Sequence, residues 1–79
     1  MFINKSADGK NNICGQKIYT KRKSMKISQR KLADLMQIEG IDIDKNAIQR
    51  IEAGKRFVTD IEIFAFSKVL KVNFNDLLL

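Results

Sequence analysis

The sequence predicts a single all-α domain of five short helices. No proline interrupts the 79 residues, and the four glycines fall between segments in which apolar residues recur at helical spacing. Hydrophobic residues make up 44% of the chain, which is enough for a packed core. The predicted division is a flexible arm over 1–12, which is mostly polar, and one helical domain over 13–79.

The first two helices are predicted over residues 16–25 and 29–36. The inner stripe of the first is thin, with Ile18 and then Arg22, and its outer face is rich in lysine. Ser28 offers a side-chain oxygen as N-cap of the second helix. Four apolar residues recur at helical spacing in that helix: Leu32, Ala33, Leu35 and Met36.

A turn over 37–44, which contains Gly40, is predicted to lead into the third helix. Isoleucine and aspartate alternate at its end, a pattern that would also suit a brief extended piece. Asp44 is expected to cap a helix over 45–53, and Gly54 to end it.

The fourth helix is predicted to open with a capping box formed by Thr59 and Glu62, and a last short helix to begin near Asn75. The apolar positions of all five helices give the expected core: Ile18, Leu32, Ala33, Met36, Ile48, Ile51, Ile63, Phe66, Leu70, Val72, Phe74 and Leu77.

Composition excludes several classes of function. The chain has no histidine and one cysteine, so ordinary zinc sites and histidine-based catalysis are not expected. We therefore expect neither an enzyme nor a cofactor. No apolar run approaches the length needed to cross a bilayer, which favours a cytoplasmic protein without a membrane role.

The formal charge of +6 is unevenly distributed. Residues 13–31 carry seven basic groups and no acid, residues 32–44 carry four acids and no base, and residues 45–58 carry four basic groups against Glu52. Two interpretations remain open for the basic blocks: a solvated surface, or a footprint for the phosphates of a nucleic acid.

The run Ser28 to Met36, followed by Ala47 to Arg56 and Val58 to Glu62, resembles the phage repressor and Cro-like helix-turn-helix family, also called the xenobiotic-response-element type. The resemblance covers about residues 15–78. It implies a five-helix, lambda-repressor-like domain whose third helix enters the major groove of double-stranded DNA. The connection between helices 2 and 3 is longer here than in the family's common form, which indicates a branch of the family.

Four polar side chains share one face of the predicted third helix: Lys45, Asn46, Gln49 and Arg50. Asparagine and glutamine can pair with the edge of adenine, and lysine and arginine with that of guanine. We expect these four residues to read bases, although an ordinary exposed polar face is the alternative.

The resemblance also implies the residues that hold phosphates and one structural ion pair. Gln29 corresponds to a phosphate contact at the start of helix 2, assisted by the helix dipole, and Arg30 and Lys31 lie beside it. Lys55 and Arg56 correspond to a second phosphate clamp. Arg22 and Glu52 are expected to pair between helices 1 and 3.

Together these features predict a DNA-binding transcriptional regulator of the prokaryotic or phage type, acting as a repressor, and a homodimer through the apolar C-terminal end. Two alternatives stay open. The first alternative is an antitoxin that binds both its operator and a toxin. The second is a protein-interaction module that keeps the fold without binding DNA.

Overall fold

The computed structural model describes residues 5–79, which form five α-helices and no strand. The predicted all-α fold is confirmed. The helices are α1 Gly15–Ser24, α2 Gln29–Ile38, α3 Lys45–Glu52, α4 Asp60–Leu70 and α5 Phe74–Leu78. The first four residues of the predicted arm over 1–12 lie outside the described residues, and the boundary between arm and domain stays a prediction.

Side chains cap the N-termini of α2, α3 and α4 at the predicted residues. Ser28 Oγ accepts from the backbone N–H of Lys31 at 3.0 Å, and Asp44 Oδ1 accepts from that of Ala47 at 2.8 Å. Thr59 and Glu62 form a reciprocal capping box at the start of α4. Each bond satisfies an N–H group that the helix itself leaves unpaired.

The core lies where α1 packs against α3, α4 and α5, and α2 against α3 and α4. Most predicted core residues are buried, but Phe74 is 46% exposed. That prediction was wrong because the Phe74 ring lies on the outer surface, where it packs on Phe64 with ring centroids 5.9 Å apart. Ile63 and Val72 are half-buried at the edge of the core.

The connection over 39–44 is packed against the domain. Ile43, absent from the predicted core, is 1% exposed, and its carbonyl accepts from the Gln37 side chain at 3.0 Å. The alternating segment is an irregular connection, as expected. Its burial fixes the point from which α3 starts.

The N-terminus of α1 touches the C-terminus of α3 at Gly15. A Cβ atom at this position would lie 2.1 Å from the carbonyl oxygen of Ile51. Only glycine permits this approach, and it brings the end of α3 against the start of the domain. No helix within residues 5–79 is long and apolar enough to span a membrane.

The C-terminus of α4 carries removable backbone strain. Lys71, the C-cap, has a φ of +58°, the left-handed conformation that glycine adopts without a steric penalty. Lys71→Gly should therefore raise the free energy of unfolding by up to about 1 kcal/mol, measured by urea denaturation. Lys71→Ala removes the same side chain but keeps the Cβ, so it should give no such gain. Equal effects of the two substitutions would contradict this explanation.

Candidate nucleic-acid interface

The outer face of α3 carries the four residues predicted to read bases. Lys45, Asn46, Gln49 and Arg50 are all exposed to solvent. On the opposite side, Ile48 and Ile51 are completely buried. The helix therefore presents a continuous polar surface of hydrogen-bonding groups, and its orientation is fixed by the core.

A basic cleft of about 780 Å³ lies beside this face. It is bounded by the turn between α1 and α2, by the N-terminus of α2 and by the N-terminus of α3. Its lining includes four exposed cations that form no ion pair among the described residues: Lys23, Lys26, Arg30 and Lys45. The structure thus brings the basic block 13–31 next to the start of α3.

Sequence reasoning assigned no role to Lys23. The available signal was its position in a basic block without acids. In the structure Lys23 faces α3, whereas Lys17 and Lys21 line a different surface near α5. The sequence alone does not distinguish these lysines.

Two cations of this cleft, Arg30 and Lys45, and the neighbouring Lys31 stand at the unfavourable ends of their helices. Arg30 and Lys31 lie in the first turn of α2, and Lys45 is the first residue of α3. Neither first turn contains an acidic residue, although the Asp44 carboxylate caps α3, so α2 is the helix start without any acid. Because the helix dipole places partial positive charge at the N-terminus, cations there destabilise the helix. A bound anion would reverse that effect, so the arrangement suits an anionic ligand better than it suits the isolated fold.

A buried ion pair holds α3 against α1. Arg22 Nε lies 2.7 Å from Glu52 Oε2, and its Nη2 donates to Glu52 Oε1 at 3.1 Å. The two side chains are only 7% and 5% exposed. A third nitrogen of Arg22, Nη1, donates to the carbonyl of Ile27 at 2.9 Å, which ties the α1–α2 turn to the same group.

Gln29 joins this network from the start of α2. Its side-chain nitrogen donates to Glu52 Oε1 at 3.0 Å. Sequence reasoning assigned Gln29 to a phosphate and did not indicate this bond. The single carboxylate of Glu52 therefore connects the first three helices, and the N-terminus of α2 is oriented relative to α3.

The loop after α3 contains the remaining predicted phosphate ligands. Lys55 is exposed and forms no ion pair among the described residues. Arg56 instead makes a forked pair with Glu62, with both N–O distances 3.0 Å. Burial raises the pKa of Glu62, but the bonds from Arg56 and Thr59 outweigh it and hold that pKa below its ordinary value. Arg56 thus has an intramolecular partner that the sequence did not indicate.

The cysteine lies away from this surface. Cys14 is 1% exposed, and burial raises the pKa of its thiol to about 11. The thiol is protonated at neutral pH and serves as a small apolar core residue.

Comparisons with known proteins agree with this geometry. The helix-turn-helix family model matches residues 18–77. Among solved structures, the restriction-modification controller protein C.AhdI from Aeromonas hydrophila matches with a TM-score of 0.70 and 25% sequence identity, over 80% of this chain and 84% of that one. No curated protein matches the chain.

The Glu52 network yields a prediction on stability. Glu52→Ala leaves the buried Arg22 charge without its partner, which should cost about 3–5 kcal/mol and lower the melting temperature sharply. Glu39→Ala is the matched control, because it breaks the exposed Lys68–Glu39 pair and should cost less than about 1 kcal/mol. An unchanged melting temperature for Glu52→Ala would show that the pair does not hold the fold.

Proposed function

The chain belongs to the helix-turn-helix family, and we propose that it is a repressor that occupies an operator in double-stranded DNA. Membership of this family of Cro/C1-type regulators makes it a DNA-binding regulator. The observation that supports the proposed contact with an operator is the convergence of two helix N-termini and four exposed cations on one cleft beside the polar face of α3.

Phosphates on the DNA backbone are the ligands that this cleft fits. Backbone N–H groups at a helix N-terminus and the positive end of its dipole favour an anion, and the flanking lysine and arginine side chains add charge. A duplex supplies phosphates at regular intervals, so it satisfies several such groups together. This geometry supports α3 lying in the major groove, with α2 across the backbone.

The proposed contacts divide into two kinds. Base reading falls to the exposed face of α3, with Asn46 and Gln49 suited to adenine, and Lys45 and Arg50 to guanine. The residues proposed to contact the phosphates of the DNA backbone are Gln29, Arg30 and Lys31 at the start of α2, and Lys55 and Arg56 after α3. Because the Arg56 guanidinium is paired with Glu62, its contribution is positive potential, and Lys55 is the more accessible ligand.

Binding measurements test this division, once selection from a random pool of duplexes has identified the preferred sequence. Asn46→Ala or Gln49→Ala should weaken binding to that sequence by about 1–3 kcal/mol and leave binding to random DNA nearly unchanged. Lys55→Ala should weaken both and lower the salt slope by about one unit. Equal losses on both duplexes for all three variants would refute the division.

An apolar groove on the far side of α4 is proposed to hold a second copy of the chain. Its exposed residues are Ile61, Phe64, Phe74 and Leu78, around a volume of about 650 Å³. Leu77 is buried in the core, as expected, and does not line the groove.

Charge supports self-association at this groove. Asp60 lines it, and the Lys68 ammonium, which also pairs with Glu39 at 3.0 Å, lies 5.7 Å from the centre of the Phe64 ring. Opposite charges at the rim let a two-fold axis bring acid against base. A dimer would present two copies of α3 to successive turns of one operator.

Sedimentation at high micromolar concentration tests the dimer. Phe64→Glu should convert dimers to monomers, because it places a carboxylate in the apolar groove. Tyr19→Glu changes an exposed aromatic residue of α1 that does not line the groove, and it should leave the dimer intact. Wild-type monomers both with and without DNA would exclude the dimer, and a small protein that co-purifies with the chain would favour the antitoxin alternative.

A further inference from the structure

Two asparagines that precede α1 bind the backbone of the loop after α3. The Asn12 side-chain nitrogen donates to the carbonyls of Ile51 at 3.0 Å and Arg56 at 2.8 Å. Asn11 donates from its side chain to the carbonyl of Lys55 at 3.0 Å, and from its backbone to that of Gly54 at 2.8 Å. Four of the six carbonyls between residues 51 and 56 thus bond to residues 11 and 12.

Asn12 also fixes the start of α1. Asn12 Oδ1 accepts from the backbone N–H of Gly15 at 2.8 Å, at the point where Gly15 lies against Ile51. The Asn12 amide is half-buried, and both of its polar atoms are satisfied. It therefore connects the start of α1, the end of α3 and the following loop.

In the loop after α3, these bonds act together with two turn bonds at its start, from the N–H groups of Ala53 and Gly54, and with the packing of Val58 against the core at its end. Residues 53–59 belong to no helix. Within them, the Lys55 N–H donates to the carbonyl of Arg50 at 2.9 Å, and Arg56 is held by Glu62. Lys55 itself is exposed, so its position follows from the backbone on each side of it.

We propose that Asn12 is a positioning residue for DNA binding, which holds the backbone at Lys55 where its ammonium group meets a phosphate. This inference rests on the proposed function. It also makes part of the segment predicted as a flexible arm a component of the DNA-binding unit.

Asn12→Ser separates the two roles of the side chain without changing charge. A serine oxygen can accept from the N–H three residues ahead, as at a helix N-cap, so the bond to Gly15 is retained. The hydroxyl is too short to replace the amide bonds to Ile51 and Arg56. Asn11→Ser is the second variant, since it removes only the bond to the Lys55 carbonyl and keeps the backbone bond to Gly54.

The experiment is a double-mutant cycle with Lys55→Ala. The probe is a random-sequence duplex of 20 base pairs, and affinity is measured for each variant. Circular dichroism selects a temperature at which every variant is folded. Asn12→Ser should weaken binding about three- to tenfold and lower the salt slope by about one unit. In the Lys55→Ala background it should have almost no further effect. Asn11→Ser should act in the same direction but less strongly.

Amide hydrogen exchange gives a readout that does not depend on DNA. Exchange at Gly54 and Lys55, whose N–H groups donate to the carbonyls of Ile51 at 3.0 Å and Arg50 at 2.9 Å, should accelerate in Asn12→Ser, whereas the core amides of α4 keep their protection.

The outcomes distinguish this inference from the proposed function. If Lys55→Ala leaves binding unchanged, the proposed phosphate clamp is wrong. If Lys55→Ala weakens binding but Asn12→Ser has no effect, or has the same effect in both backgrounds, then Asn12 does not act through Lys55 and the positioning role is overturned.

Discussion

The arrangement of the first three helices depends on the hydrogen bonds of the Glu52 carboxylate. The carboxylate accepts three hydrogen bonds, two from Arg22 on α1 and one from Gln29 on α2, and it lies itself at the end of α3. A buried pair of this kind adds little net stability compared with apolar packing. Its value is directional, because it fixes the two helices of the DNA-binding motif relative to each other and to α1. The polar face of α3 and the basic cleft are consequences of that alignment.

Much of the fold could be predicted because local sequence signals agreed with the apolar pattern. The caps at Ser28, Asp44 and Thr59 stand at the helix starts, and the spacing of the isoleucines in α3 identified its buried side. These features involve residues within one helical turn of each other. The prediction that Phe74 lies in the core was wrong because a short terminal helix does not determine from its own sequence which side will face the core.

The candidate site was predictable in its residue types and not in its connections. The shared exposed face of the four polar residues of α3 was recognised from their spacing within one helix, and their reading of bases stays a prediction. Three connections were not predictable: the bond from Gln29 to Glu52, the pair between Arg56 and Glu62, and the bond from Asn12 to Arg56. Each joins residues distant along the chain or depends on which way a side chain turns. Ile43 shows the same limit, because its burial depends on how the connection over 39–44 returns to the domain.

The placement of cations at the beginnings of α2 and α3 has a consequence for how the protein responds to ionic strength. Added salt screens the repulsion among these cations, and between them and the helix dipoles, and so stabilises the free domain. The same salt weakens attraction to a polyanion, because releasing counterions into a more concentrated solution gains less entropy. Folding and nucleic-acid binding therefore respond to electrolyte in opposite directions.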